Sequence, residues 1–270
     1  MNGLERRMVA ALTDLRENHN VIGVKAEFEA EGTRLEEAMR LKEVITSAGL
    51  GLTLKIGGCE AVRDLYEARV LGVERVVAPM VESAYALKKF LGAAQMAFPQ
   101  DEREDTKWAV NVETIDGVNA FDAMLELSDC CLLDGIVVGR TDMTGSLGMG
   151  KDDINDPRIL DITKALFEKA KAAGLETAVG GGVSAESLPF FRQLDGIIDR
   201  YETRKVIFGC PAALADGAQA GLLKAVGFEM MWLQNKRDFY GSISREDDTR
   251  LTVLETRYAK RIQEAGGMTG

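Results

Sequence analysis

The chain has 270 residues, 46 % of them apolar, with 33 Lys and Arg against 43 Asp and Glu and a formal net charge of −10. That apolar content excludes a disordered chain, and the acidic balance leaves no basic excess to displace counterions from a nucleic acid. No segment reaches the roughly 18 uninterrupted apolar residues of a membrane span, and no apolar core of a leader follows the opening Met1–Arg7. The cysteines Cys59, Cys130, Cys131 and Cys210 lack zinc-site spacing, and the adjacent pair does not suit a disulfide framework. A reducing, cytoplasmic setting is expected, with no nucleic acid and no membrane as partner.

Strand and helix patterns then alternate along the chain. An amphipathic helix is predicted from Leu4 to about Glu17, a strand over Val21–Phe28, and a helix from Thr33 to about Ala48 that stops at Gly49. A strand at Leu52–Ile56, a helix at about Glu60–Val70, a strand at Arg75–Met80 and a helix at Ser83–Ala94 follow, then an acidic loop, 100–105. Next come a strand from Trp108 that ends at Glu113, a helix over about 117–127 and a strand from Gly135 to Arg140. Pro157, behind Asp156, suits the first turn of a helix that runs to Ala173. A strand at Glu176–Val179, a helix at 185–193 and a strand at Lys205–Gly209 complete the series.

Regular β-α alternation implies a parallel sheet, and eight such units close a (β/α)8 barrel of the TIM type. From Val21 to Gly209 the count is seven, one strand short. The apolar run 228–233, followed by a polar loop 234–245 and a helix from about Asp247, has two readings. Either 228–233 supplies the eighth strand, or the C-terminal region is a helical hairpin for packing or subunit contact. Residues 1–270 therefore read as a single α/β barrel domain, with 211–270 an extension that completes the barrel or forms an oligomer contact.

The carboxyl edge of such a sheet is where ligands bind. Two neighbouring strands end there in carboxylates: Asn111-Val112-Glu113, and Gly139-Arg140-Thr141-Asp142. Two hard oxygen donors side by side either suit a Mg2+-class ion, which takes one or two carboxylates and fills its other positions with water and substrate, or are two solvent-facing carboxylates at strand ends. Gly180-Gly181-Gly182-Val183-Ser184 joins a strand to a helix. It either docks a substrate anion at Gly181 or is a tight turn capped by Ser184. Lys236, Arg237 and their neighbours either overhang the mouth of the site, if 228–233 is a strand, or form an exposed charged turn.

These motifs resemble a known family. Asn111-Val112-Glu113-Thr114, the run Val138-Gly139-Arg140-Thr141-Asp142-Met143-Thr144-Gly145-Ser146-Leu147-Gly148, and Val77-Ala78-Pro79-Met80-Val81-Glu82-Ser83 are similar to the core of the HpcH/HpaI aldolase and citrate lyase β-subunit family. The resemblance implies a phosphoenolpyruvate/pyruvate-type barrel that makes or breaks carbon–carbon bonds beside a 2-oxo acid or an acyl-CoA thioester, with Mg2+ or Mn2+ as cofactor. It implies that Glu113 and Asp142 hold the metal and that Asn111 touches the oxo acid. The backbone of the Gly139–Asp142 turn, at Thr141 and Asp142, would receive the substrate carboxylate, with Arg140 beside it. Lys55 stands where the family has an arginine on the enolate oxygen. Glu82 matches an acid that supports the base, and Glu27 and Glu29 match a paired acidic motif.

The chain departs from that pattern where a histidine follows the paired acids, because Ala30 stands there and the only histidine is His19. Lys55 is the second departure: a lysine supplies charge without arginine's planar fork. The leading expectation is a metal-dependent aldolase, a carbon–carbon lyase acting on a pyruvate-like 2-oxo acid through a stabilised enolate, with an aldehyde as second partner. Lys55 would steady the enolate oxygen, with Glu27, Glu29 and Glu82 on the proton path. The alternatives are an acyl-CoA lyase or thioesterase, with Arg237 near the CoA phosphates, and a barrel that binds an oxo acid without turnover. The resemblance also implies a homo-oligomer, trimer or hexamer.

Overall fold

The structure is a computed structural model that describes residues 1–269. Its strands are β1 (Val21–Glu27), β2 (Gly51–Lys55), β3 (Arg75–Ala78), β4 (Lys107–Asn111), β5 (Gly135–Gly139), β6 (Glu176–Gly180), β7 (Arg200–Glu202) and β8 (Val206–Gly209). They close into one barrel in chain order. The helices are α1 (Gly3–Asn18), α2 (Leu35–Ser47), α3 (Val62–Leu71), α4 (Ala84–Ala97), α5 (Gln100–Glu104), α6 (Ile115–Leu125), α7 (Arg140–Ser146), α8 (Pro157–Ala172), α9 (Leu188–Arg192) and α10 (Ala218–Glu264). The expected α/β barrel is therefore present, and the acidic segment expected as a loop is the one-turn helix α5.

Local chemistry sets the helix boundaries. Asn2 and Glu5 cap α1 reciprocally, with Glu5 N–H donating to Asn2 Oδ1 at 2.8 Å and Asn2 N–H to Glu5 Oε2 at 2.6 Å. Ser83 and Thr114 accept from Ala86 and Gly117 N–H at the starts of α4 and α6. Asp156 caps α8, with Pro157 in the first turn. Gly72 ends α3 in the left-handed conformation at φ 60°.

Strand alternation sorts the side chains. Val77, Ala109, Val137 and Ala178 form a buried layer across β3–β6. Lys55, Asn111, Gly139 and Gly180 share their face, by register and two-residue spacing. That face is the barrel interior, because its ion pairs join strands that are not neighbours. Lys25 of β1 reaches Glu202 of β7 at 2.7 Å, and Arg75 of β3 reaches Glu176 of β6 at 2.7 Å. Arg200 meets the same Glu176 oxygen at 2.9 Å, so two guanidinium groups and one carboxylate close the end where the parallel strands begin.

One strand breaks the expected pattern. β1 to β7 run parallel to their neighbours, but β8 is antiparallel to both β7 and β1. The eighth strand is thus supplied by a hairpin, and the segment 228–233 is not it: these residues lie inside α10. Phe228 and Trp232, one helical turn apart, are buried, while Met230 and Leu233 are exposed. That is the period of a helix, which a six-residue apolar run does not distinguish from a strand. The polar loop expected at 234–245 is likewise helical.

The chain divides into two compact units, Met1–Glu229 and Met230–Gly270. The first contains the whole barrel. The second, within its described residues, is the remainder of α10 followed by the non-helical residues 265–269, and α10 exposes Leu251, Leu254, Tyr258 and Ile262. Barrel completion, one of the two roles expected of the C-terminal region, belongs to β7, the short strand missing from the count of seven, whereas β8 is the strand expected at Lys205–Gly209. No helix among the described residues is long and apolar enough to cross a membrane.

Candidate active site

At the carboxyl edge of the parallel strands, Glu113 lies two residues beyond the end of β4, so it shares the inward face with Asn111. It is 2 % exposed. Its Oε1 accepts from the backbone N–H of Met80 at 3.0 Å and its Oε2 from Asn111 Nδ2 at 2.8 Å. Met80 holds that N–H in place at φ 50°, a left-handed conformation that costs a non-glycine residue energy and clusters at functional sites. Space for the carboxylate comes from Gly139: a Cβ there would lie 2.4 Å from Glu113 Oε2.

Lys55 stands opposite, its Nζ 3.9 Å from Glu113 Oε2 and 2.9 Å from Glu29 Oε2. Burial alone would lower the Lys55 pKa, but Glu113, then Glu29 and Glu27, outweigh it and hold the ammonium above its ordinary value. Glu113 is pushed up, chiefly by burial and further by Asp142, against the opposing pull of Lys55, Met80 N–H and Asn111. Asp142 thus adds a small upward push to the Glu113 carboxylate.

A divalent cation fits this arrangement on three counts. Glu113 and Asp142 offer hard anionic oxygens. Asp142, in the first turn of α7, has no ion-pair partner among the described residues. Asn111 Oδ1 is a buried acceptor with no hydrogen-bond partner, an omission that native proteins rarely leave uncompensated. No trio of His, Cys, Asp and Glu converges among the described residues. A cation here would thus rest on two carboxylates and leave positions for substrate oxygens, as Mg2+ does.

The start of α7 and the glycine loop, read from the sequence as separate anion sites, adjoin. Thr141 lies in the first turn of α7, where backbone N–H groups have no acceptor within the helix. Gly181, at φ 78°, packs against it: a Cβ there would lie 2.6 Å from Thr141 N, so only glycine fits. Arg140 locks the two together from behind. It is 0 % exposed and donates to the carbonyls of Gly180, Gly181 and Ile154, to Asn155 Oδ1 and to Ser187 Oγ, with its guanidinium 5.0 Å from the Phe190 and Phe191 ring centroids. Its donors are spent on the protein, so Arg140 shapes the turn from the side away from the ligand edge.

The remaining expected residues divide: Glu27 adjoins Lys55 in register, whereas Glu82 and Arg237 hold other partners. Glu27, at the end of β1, is buried with Oε1 3.0 Å from Lys25 Nζ. Burial would raise its pKa, but Lys25 first, then Lys55 and Arg204, hold it below the ordinary value. Glu82 is exposed and accepts from Thr114 Oγ1 at 2.7 Å. Arg237 lies on α10 in the second unit, paired with Asp238, so the loop expected to carry it to the site is absent.

Lys25 and Glu202 escaped the sequence reading, although Lys25 pairs with Glu27 and Glu202 packs against Gly180, where a Cβ would lie 3.4 Å from its Oε1. Lys25 Nζ bridges Glu202 and Glu27 at 2.7 and 3.0 Å, and despite burial those two carboxylates raise its pKa. The only sequence signal was a lysine inside an apolar strand. Met80 gave no signal.

Comparison with known proteins fits this geometry. Residues 59–184 match the family model HpcH/HpaI aldolase/citrate lyase. The matched segment carries Glu82, Asn111, Glu113, Asp142 and Gly181, and it ends short of Glu27, Glu29 and Lys55. Among solved structures, the chain is similar to the citrate synthase SbnG at 14 % identity, over 73 % of this chain and 81 % of that one, with a TM-score of 0.59. It is also similar to an HpcH/HpaI aldolase/citrate lyase family protein from Burkholderia cenocepacia J2315, at 14 % identity over 91 % of this chain and all of that one, with a TM-score of 0.58. At such identity the structures share a fold. No curated protein matches the sequence.

Proposed function

We propose that this barrel is a carbon–carbon lyase that cleaves or forms the bond between a pyruvate-like 2-oxo acid and an aldehyde, with a divalent cation held by Glu113 and Asp142. The observation that carries the reading is the buried Glu113 carboxylate, facing Lys55 at 3.9 Å, beside the unpartnered Asn111 Oδ1. When bound, Mg2+ or Mn2+ supplies Lewis acidity to the keto and carboxylate oxygens of the oxo acid. Lys55 sets a second positive charge where the enolate oxygen develops. The first turn of α7, kept open by Gly181, receives the substrate carboxylate.

In the cleavage direction the carbon–carbon bond beside the carbinol breaks. Its electron pair passes into the enolate, the hydroxyl proton leaves to a base, and the aldehyde departs. A second proton on the enolate carbon then gives the oxo acid. No histidine is available for these transfers, and Glu27 is held ionised by Lys25. Glu29, on Lys55 Nζ at 2.9 Å, is the best placed carboxylate. An oxo-acid aldolase is preferred to a CoA-ester enzyme because Arg237, the cation expected to meet CoA from a loop, is on the helix α10 and paired with Asp238.

Exchange of the pyruvate methyl protons in D2O, followed by NMR, tests the reading without an aldehyde. Exchange is expected with Mg2+ or Mn2+, to cease with excess chelator, and to return on adding the ion back. Exchange that survives the chelator would reject the metal role, and no exchange of any 2-oxo acid would reject the enolate.

Gly139→Ala provides a finer test. At φ −87° the backbone accepts alanine, so the added methyl acts on Glu113, meeting its Oε2 at 2.4 Å and its Cβ at 3.0 Å. Exchange is expected to fall about 10–100-fold, since an ångström of misplacement has that effect, while the thermal midpoint falls by only about 2–10 °C, as overpacking by one methyl costs about 1–3 kcal/mol. Unchanged exchange would show that the Glu113 position is immaterial.

A further inference from the structure

The reversed strand β8 changes what stands at the ligand edge. A β7–β8 connection in an all-parallel barrel would leave this edge through a helix. Here it turns back at once, and its tip is the dipeptide Arg204-Lys205. Thr203 N–H donates to Val206 O at 2.9 Å and Val206 N–H to Thr203 Oγ1 at 3.0 Å, which closes the turn around the two tip residues. Two cations are thereby presented where ligands enter.

The fold uses them differently. Lys205 is buried and bound to Glu31, and its carbonyl accepts from Lys25 N–H at 2.8 Å, so it fastens the tip to β1. Arg204 remains 53 % exposed, and its one ion-pair contact among the described residues is 3.8 Å from Nη1 to Glu27 Oε2. That is beyond hydrogen-bond distance, and Glu27 already has Lys25 at 3.0 Å. The Arg204 guanidinium therefore overhangs the mouth with its hydrogen-bond donors unspent among the described residues, on a turn fixed at both ends. Its place relative to the chemistry is also set: Glu27 pairs in register with Lys55, and Lys55 faces Glu113.

We propose that Arg204 is a specificity-determining residue that binds an anionic group, carboxylate or phosphate, on the aldehyde half of the substrate. The planar fork of arginine matches either anion with two parallel hydrogen bonds. The proposal rests on the enolate reading above for the identity of the second substrate, but the anion site itself does not depend on it.

The test compares kcat/KM for aldol addition of pyruvate to three aldehydes: propionaldehyde (neutral), glyoxylate (carboxylate) and glyceraldehyde 3-phosphate (phosphate). The wild-type enzyme is expected to favour at least one anionic aldehyde over the neutral one. Arg204→Gln should lower the anionic-to-neutral ratio about 10–100-fold, as loss of a charge-assisted bidentate contact implies, mainly through KM, and Arg204→Lys should recover part of it. The aldehyde whose ratio falls identifies the anion. An equal effect of Arg204→Gln on all three, or no preference in the wild type, would overturn the proposal. Should pyruvate exchange be absent, the enolate reading fails, and calorimetric titration with inorganic phosphate and with acetate decides the anion site. Weaker binding by Arg204→Gln would support it, and equal or undetectable binding by both proteins would overturn it.

Discussion

Glu113→Gln is expected to slow divalent-dependent pyruvate exchange about a thousandfold, because a Lewis-acid contribution of several kcal/mol is at stake and each 1.36 kcal/mol is roughly a factor of ten. The substitution keeps an oxygen for Met80 N–H and removes one of the two anionic donors. Stability should move the other way. Burial and Asp142 hold the Glu113 pKa above its ordinary value, so the ionised side chain destabilises the metal-free fold at neutral pH, and glutamine relieves that repulsion. The metal-free thermal midpoint of the variant should therefore equal or exceed that of the parent protein. Exchange within tenfold of the parent rate, still dependent on Mg2+, would place the cation elsewhere. A lower midpoint would mean that the carboxylate is structural.

Much of this site was legible because its residues follow strands with simple patterns. The apolar runs ending at Asn111 and Gly139 announced parallel strands, and strand ends locate the ligand edge. The carboxylates beyond them, Glu113 and Asp142, could then be paired across adjacent strands. What escaped notice depends on contacts between distant segments. β7 is three residues long, and two of them, Arg200 and Glu202, are charged and buried in ion pairs. It has neither the length nor the apolar content of a strand. The turn into β8 has no glycine or asparagine to mark a hairpin, and its closure depends on Thr203 Oγ1. Lys25 and Glu202 are 177 residues apart, so neither predicts the other. α10 was misread in its first half because Phe228 and Trp232, at helical spacing, fall within a run short enough to pass for a strand.

Lys25→Met should produce the largest loss of stability. The ammonium lies 2.7 Å from Glu202 and 3.0 Å from Glu27, and each carboxylate side chain is 7 % exposed. Removing it leaves two buried anions facing each other, where breaking a buried pair costs about 3–5 kcal/mol. For a unit of this size each kcal/mol shifts the thermal midpoint by roughly 2–4 °C. The triple variant Lys25→Met, Glu27→Gln, Glu202→Gln removes both uncompensated charges and should recover most of the loss. Acid titration separates the electrostatic cause from lost packing. In the parent protein Glu27 is held below its ordinary pKa, so its contribution is present above that value and fades as pH falls through the native one. Without Lys25, burial prevails and the sign reverses, so stability measured by urea unfolding should rise as Glu27 is protonated. An acid profile unchanged between Lys25→Met and the parent protein would show that the ammonium fills space without holding the two carboxylates ionised.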